Sequence, residues 1–241
     1  VLRGVRSAEM PELSPRVAPF LELAGGNVYT PDEERVALAT YAELAEAGVA
    51  TVVAIASRAG LGPAEVDAVL APWKAVFRDE GGDVVGFLGL TAAEMPNRIS
   101  FGGPERSAWC SWDTLFLPAV VGRSAHVRAK DPVSGAVIEL DVDVDASVRN
   151  LSHEGLVLSF REPPPEGLTD EVQKAFCHYV HFFESEASAQ RWVEQHPGTF
   201  VMSLAEGVEL ARRTNSMRYP TTLGRGLRSS ESCADHVRGA P

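Results

Sequence analysis

The chain reads as an α+β protein, with a helical, winged-helix-like module (31–95) packed on a mixed α/β catalytic core (96–218) that carries a small sheet. Three observations predict this. Apolar residues recur at helical spacing between Pro31 and Leu70, the pattern changes to short alternating runs between Ile99 and Phe160, and helical signals return after Ser185. At 241 residues and 45% hydrophobic content, the chain is long enough to bury a substantial core.

The first helix is expected over Asp32–Ala47, where Val36, Leu38, Ala39, Leu44 and Ala45 share a face and Gly48 supplies a stop. A short helix over Thr51–Ala59 ends at Gly60, and Pro63 occupies a favourable first-turn position for a third that reaches Leu70. The turn residues Asp79–Asp83 precede Val84–Leu88 and predict a β wing. Strands are expected at Arg98–Phe101, Ala125–Lys130, Ala136–Val142 and Gly155–Phe160, followed by a loop at Pro163–Gly167. Ser185–His196 and Ser203–Arg213 read as helices, the latter with Ser203 and Glu206 at capping-box spacing. Residues 1–30 are an N-terminal extension, and 219–241, rich in Gly, Ser and Arg, is expected to be a flexible tail.

Helices followed by a wing suggest DNA binding, but charge opposes it. Residues 31–95 hold eleven Asp and Glu against four Lys and Arg, a net of −7, and the candidate recognition helix carries Glu65 and Asp67. The whole chain is at −11, which suits solubility and argues against a nucleic-acid surface, which needs a basic stripe. No run of about 18 apolar residues predicts a membrane span, and Val1–Ser7 does not resemble a secretory leader, so a cytoplasmic setting is the expectation. Three scattered cysteines do not make a disulfide framework and are expected to be reduced.

Two of those cysteines, 67 positions apart, carry the chemistry: Cys110 in Ala108–Pro118 and Cys177 in Ala175–Phe183. A helix from Cys110 to Phe116, kept short by Pro118, would set Asp113 one turn from Cys110 and put the thiol near a helix N-terminus, lowering its pKa. Brought together, the three groups suit a soft metal. Equally, Cys110 fits an inert buried position among Trp109, Trp112 and Phe116. Cys177, with His178 and His181, fits a metal cluster, a Cys–His nucleophile pair or a core strand.

The runs Trp109–Arg123 and Phe176–Phe183 resemble, in order and separation, the two signature segments of the bacterial organomercurial (alkylmercury) lyases. The likeness is strongest from about Ile99 to Ala211. It implies protonolysis of a carbon–mercury bond to a hydrocarbon and Hg(II), with Cys110 and Cys177 as catalytic thiols and mercury ligands and Asp113 as the catalytic carboxylate. It also implies no organic cofactor, release of Hg(II) to low-molecular-weight thiols or a mercuric reductase, and a role in mercury detoxification. A monomer or weak homodimer is expected, with no nucleic-acid or membrane partner.

The chemistry needs these residue types on its own account. Thiolates are soft donors that hold mercury and push electron density onto the bound carbon, and a second thiolate does so further. A nearby carboxyl, its pKa raised by burial, can carry a proton from a thiol to that carbon. On this reading Cys110 attacks first, Cys177 joins and Asp113 shuttles the proton. Trp109, Trp112, Phe116 and Phe176 are candidate pocket walls. Trp112 is bulkier than the aliphatic residue expected between the Cys and the Asp. Further cysteines found in some relatives are replaced around Ala129–Asp131 and by His178, while Cys233 in the tail reads as a bystander or a mercury-delivering thiol. Rival readings are a thiol-based metal- or mercury-sensing regulator, a Cys–His hydrolase or transferase using His181, and a relative acting on another thiophilic element.

Overall fold

The computed structural model describes residues 13–25, 27–162 and 172–224. Its N-terminal part follows the capping signals. Helix α1 (Ala18–Gly25) precedes α2 (Pro31–Ala47), whose Thr30 hydroxyl accepts from Glu33 N–H while the Glu33 carboxylate accepts from Thr30 N–H. Helices α3 (Val52–Ala59) and α4 (Pro63–Leu70) follow, capped by Thr51 and opened by Pro63 respectively. Their inner faces bury Val36, Tyr41, Leu44, Ile55, Val66 and Leu70.

Strands β1 (Val76–Arg78) and β2 (Val84–Phe87) form the expected hairpin around Asp79–Asp83. This hairpin is also the edge of a larger antiparallel sheet. It continues through β3 (Leu90–Thr91), β5 (Glu105–Ala108), β4 (Asn97–Ser100), β6 (Ala125–Lys130), β7 (Val137–Val142) and β8 (Val148–Arg149), in that spatial order. Strict alternation in β6 buries Ala125, Val127 and Ala129 and exposes His126, Arg128 and Lys130. A second sheet sets β9 (Val157–Arg161) between β10 (Phe182–Phe183) and β11 (Thr199–Ser203). The described architecture is mixed α+β, as expected, with a larger sheet than the short strand runs suggested.

The expected helix from Cys110 is corrected: α5 spans Asp113–Val121, so Cys110 lies in the turn before it. Pro118 does not end this helix. It forgoes one donor only, and its carbonyl accepts from Gly122 and Arg123 N–H beyond the C-terminus. Past β9 come α6 (Val172–Ala175), a single 3₁₀ turn at Cys177–Tyr179, α7 (Glu186–Gln195) and α8 (Leu204–Arg218). Ser203 caps α8 by accepting from Glu206 N–H, but the Glu206 carboxylate reaches Ser14 N–H instead of closing the box. Helix α8 also runs past the expected end at Arg213. No helix of the described residues is long and apolar enough to cross a membrane.

Candidate active site

Each cysteine lies in a short turn leaving an element of a sheet or helix, and one serine ties the two turns together. Leaving β5, the chain passes Trp109 and Cys110. Ser111 N–H then donates to Val180 O at 3.2 Å, and Ser111 Oγ accepts from Phe182 N–H at 2.8 Å while donating to Asn97 Oδ1 at 2.8 Å. Val180 and Phe182 follow the Cys177 turn directly, so Ser111 pins that turn beside Cys110. The turn is also fixed to β9: Ser159 Oγ donates to Tyr179 O, and Arg161 donates to Ala175 O while its guanidinium lies 4.0 Å over the Tyr179 ring. Nothing in the serine's own sequence neighbourhood announces this clamp.

The result joins the three expected residues. Ligand atoms of Cys110, Asp113 and Cys177 all lie within 4.8 Å of one another, and all three residues are buried. Asp113 Oδ2 accepts from Cys110 N–H at 2.8 Å, and both thiols are free. Among the described residues this is the one group of three or more His, Cys, Asp or Glu side chains arranged to hold a metal ion.

Electrostatics separate the roles. Burial pushes the Asp113 carboxyl up to about 7, against hydrogen bonds from the Cys110 thiol and N–H and the charge of Arg218, all of which pull it down. Burial pushes the Cys110 thiol well above its usual range, and its hydrogen bond to Cys177 and the nearby Asp113 charge add to this. The expected lowering by a helix N-terminus fails because Cys110 precedes the helix and is fully buried. For Cys177 the Cys110 hydrogen bond pulls the pKa down, while burial and Asp113 push it up, leaving it raised overall. Cys177 is therefore the thiol whose anion has a donor beside it.

The cluster borders a cavity of about 450 Å³, within the range of small-molecule sites. Trp109, Trp112, Phe116 and Phe176 all line it, as do Asp113 and Cys177, whereas Cys110 lies behind them. Phe20 of α1 completes an aromatic wall, its ring stacked on Phe176 at 5.0 Å and edge-on to Trp112 at 5.1 Å. Trp112 is locked in this wall by Nε1–H donating to Gly207 O at 3.0 Å. Phe20, Tyr29, Trp73, Leu88, Gly89 and Arg218 also border the cavity and were not singled out from sequence. They come from segments far apart in the chain, and only Arg218, a cation near the end of a helix, carried any local signal. Cys233 lies outside the described residues.

His178 and His181 do not join the site. The His181 ring Nε2 lies 2.7 Å from His178 O, and its ring packs edge-on to Trp192 at 4.8 Å.

A family model described as alkylmercury lyase matches residues 90–215, more than half of the chain and both cysteine segments. The chain belongs to the alkylmercury lyase family. Relatives in this family include an alkylmercury lyase of Staphylococcus epidermidis, 37% identical over 176 residues, covering 73% of this chain and 79% of that protein. Another, from Bacillus cereus, is 36% identical over 162 residues, with 67% and 72% covered. The fold is shared with a crystal structure of the mercury-bound form of MerB2, at a TM-score of 0.63 and 22% identity over 85% of this chain and 99% of that one. The family match thus falls on the part of the chain that holds the two thiols and the carboxyl.

Proposed function

We propose that this chain cleaves the carbon–mercury bond of small organomercurials by protonolysis, giving a hydrocarbon and Hg(II). The observation that carries the proposal is the convergence of two thiols and a buried carboxyl at the wall of one aromatic cavity. Cys177 borders the cavity and has the Cys110 thiol as hydrogen-bond donor, so it captures R–Hg–X first, releasing HX and forming a Cys177 S–Hg–R bond. This reverses the order of attack expected from sequence, because Cys110 is fully buried behind Cys177.

As Cys110 bonds the same mercury, its proton, no longer engaged by the Cys177 sulfur, passes to the adjacent Asp113 carboxylate. The two sulfurs load electron density onto the carbon, and protonated Asp113 delivers the proton to it as the carbon–mercury bond breaks. The products are R–H, an Hg(II) held by two thiolates and the Asp113 carboxylate. Two external thiols then exchange with the bound Hg(II), returning both cysteine protons. The walls formed by Phe20, Trp112, Phe116 and Phe176 suit an aryl or short alkyl group and exclude water from the proton transfer. Nothing in this sequence of steps calls on an organic cofactor.

The reading extends to a cytoplasmic detoxifying enzyme that hands Hg(II) to small thiols or a mercuric reductase and works as a monomer or weak homodimer. Residues 31–95 serve it as a winged-helix-like packing module, and their net charge of −7 keeps them from nucleic acid. The test is to incubate the purified protein with phenylmercury and excess thiol and follow benzene. Release of benzene by the wild type and its loss in Cys110→Ser, Cys177→Ser and Asp113→Ala are expected; no benzene from the wild type would sink the proposal.

A further inference from the structure

The turn joining β2 to β3 contains only Leu88 and Gly89, since Phe87 pairs with Leu90. Both residues have positive φ, 38° for Leu88 and 103° for Gly89. Two-residue hairpin loops of this kind favour Gly, Asn or Asp, and a leucine there is held in an unfavourable backbone region. Such strain persists only where the surroundings impose it. Here they do so from three separate segments: Leu88 N–H donates to Ala75 O at 3.1 Å, Tyr41 Oη of α2 donates to Leu88 O at 2.9 Å, and Trp109 N–H donates to Gly89 O at 2.9 Å.

The turn so held rests on the carboxyl of the site. A Cβ built on Gly89 would lie 3.0 Å from both Cγ and Oδ1 of Asp113 and 3.1 Å from Cζ of Phe116, tighter than nearly all real Cβ contacts, so the carboxyl would have to shift, and the φ of 103° would itself be strained by a side chain. One oxygen of Asp113 is thus anchored by Cys110 N–H, and the other lies against bare glycine backbone. Leu88 itself lines the cavity.

We infer that the Leu88–Gly89 turn, braced by the Tyr41 hydroxyl, positions the Asp113 carboxyl for proton delivery to the mercury-bound carbon. The inference rests on the role proposed for Asp113 and adds three positioning residues to it. Gly89 acts by having no side chain, so the carboxyl can seat between the turn and the Cys110 amide. Tyr41 acts at one remove, through the carbonyl of Leu88. It gives helix α2 a part in the chemistry that neither cysteine segment encodes. Because transfer rates fall steeply with misplacement of a reacting group, a displacement of about 1 Å is enough to slow cleavage by about 100-fold.

The experiment separates capture of mercury from cleavage of the bond. The full chain is mixed with phenylmercury; capture is read from the loss of titratable thiols, and cleavage from benzene formed in a single turnover. Gly89→Ala is expected to capture within about twofold of the wild-type rate and to cleave at least about tenfold more slowly, and Tyr41→Phe to cleave about threefold more slowly. A general loss of structure would not slow cleavage selectively. If folded Gly89→Ala cleaves at the wild-type rate while Asp113→Ala does not cleave, the inference is overturned. Should Gly89→Ala fail to fold, Tyr41→Phe decides, and unchanged cleavage by that variant overturns it equally. Wild-type cleavage by Asp113→Ala would instead remove the proposed role of the carboxyl itself.

Discussion

Two groups of titratable side chains flank the same 3₁₀ turn, and burial drives Asp113 in one and His181 in the other toward their neutral forms with opposite consequences. On one side, Asp113 is pushed up to about 7 by burial, beside two thiols and against a cavity. On the other, burial pulls His181 down to about 4, and His196 stacks on Trp192 at 3.7 Å with its Nδ1 2.7 Å from Trp192 O. A carboxyl that titrates at about 7 can take a proton from a thiol and give it up again at working pH. A histidine near 4 is a neutral ring with no extra proton to donate, and a backbone carbonyl already engages it. What distinguishes a reactive cluster is therefore less the residue types than whether their partners are one another and an open space.

The sharpest break in this comparison comes from the thiols. Serine is a hard oxygen donor with little affinity for mercury, so Cys110→Ser and Cys177→Ser should each lower benzene release by on the order of 10³ or more. The two should differ in retention. Cys110→Ser is expected to hold phenylmercury through Cys177 after desalting, and Cys177→Ser to lose most of it. Equal retention would restore Cys110 as an equal first nucleophile. Next in size is Asp113→Ala, which should still capture mercury but slow cleavage by about 10²–10⁴, the usual worth of a positioned general acid.

How far such roles can be read ahead of a structure depends on whether the deciding interaction is local. The caps of α2 to α4 and the alternation of β6 are local, and the chain folds there as its pattern predicts. Both cysteine segments are also legible, as contiguous runs with a recognisable composition. By contrast, β5 is a four-residue Glu-Arg-Ser-Ala run with little apolar character, held by strands on both sides. The Ser111 clamp joins residues 71 positions apart, and the wall residue Phe20 comes from the N-terminal extension. The left-handed Leu88 is opposed to its own propensity, so no local rule could announce it. With Asp113 three residues on, a helix starting at Cys110 would put the two side chains on one face. The same spacing instead serves a carboxylate that reaches back to the Cys110 amide ahead of the helix.

A third prediction uses stability to sharpen the contrast. An unfolded Asp carboxyl titrates near 3.9, while Asp113 in the fold titrates at about 7. Between these values the native state keeps a proton that the unfolded chain gives up. The contribution is therefore fully present below about pH 4 and is lost as the pH rises through 7. Asp113→Asn keeps an acceptor for Cys110 N–H without this loss. Relative to wild type it should gain on the order of 2–4 kcal/mol between pH 4 and pH 8, measured by urea unfolding. A pH-independent difference would mean that the carboxyl is not held in its raised state.

His181 supplies the smallest effect and the opposite sign. Its pKa in the fold is depressed to about 4 from the usual 6.5, with burial the leading cause. A depressed histidine contributes stability above its unfolded pKa and loses it as the pH falls toward the folded one. Wild type should lose about 1–2 kcal/mol from this group between pH 7 and pH 5, and His181→Gln should be spared that loss. Benzene release by the same variant should change by less than about threefold, because His181 does not line the cavity or join the Cys110–Asp113–Cys177 cluster and its Nε2 faces His178 O. A Cys177–His181 nucleophile pair would demand the reverse, a fall in turnover of about 10² or more with little change in the pH dependence of unfolding. One variant measured both ways thus decides whether the histidine beside Cys177 belongs to the chemistry or to the packing behind it.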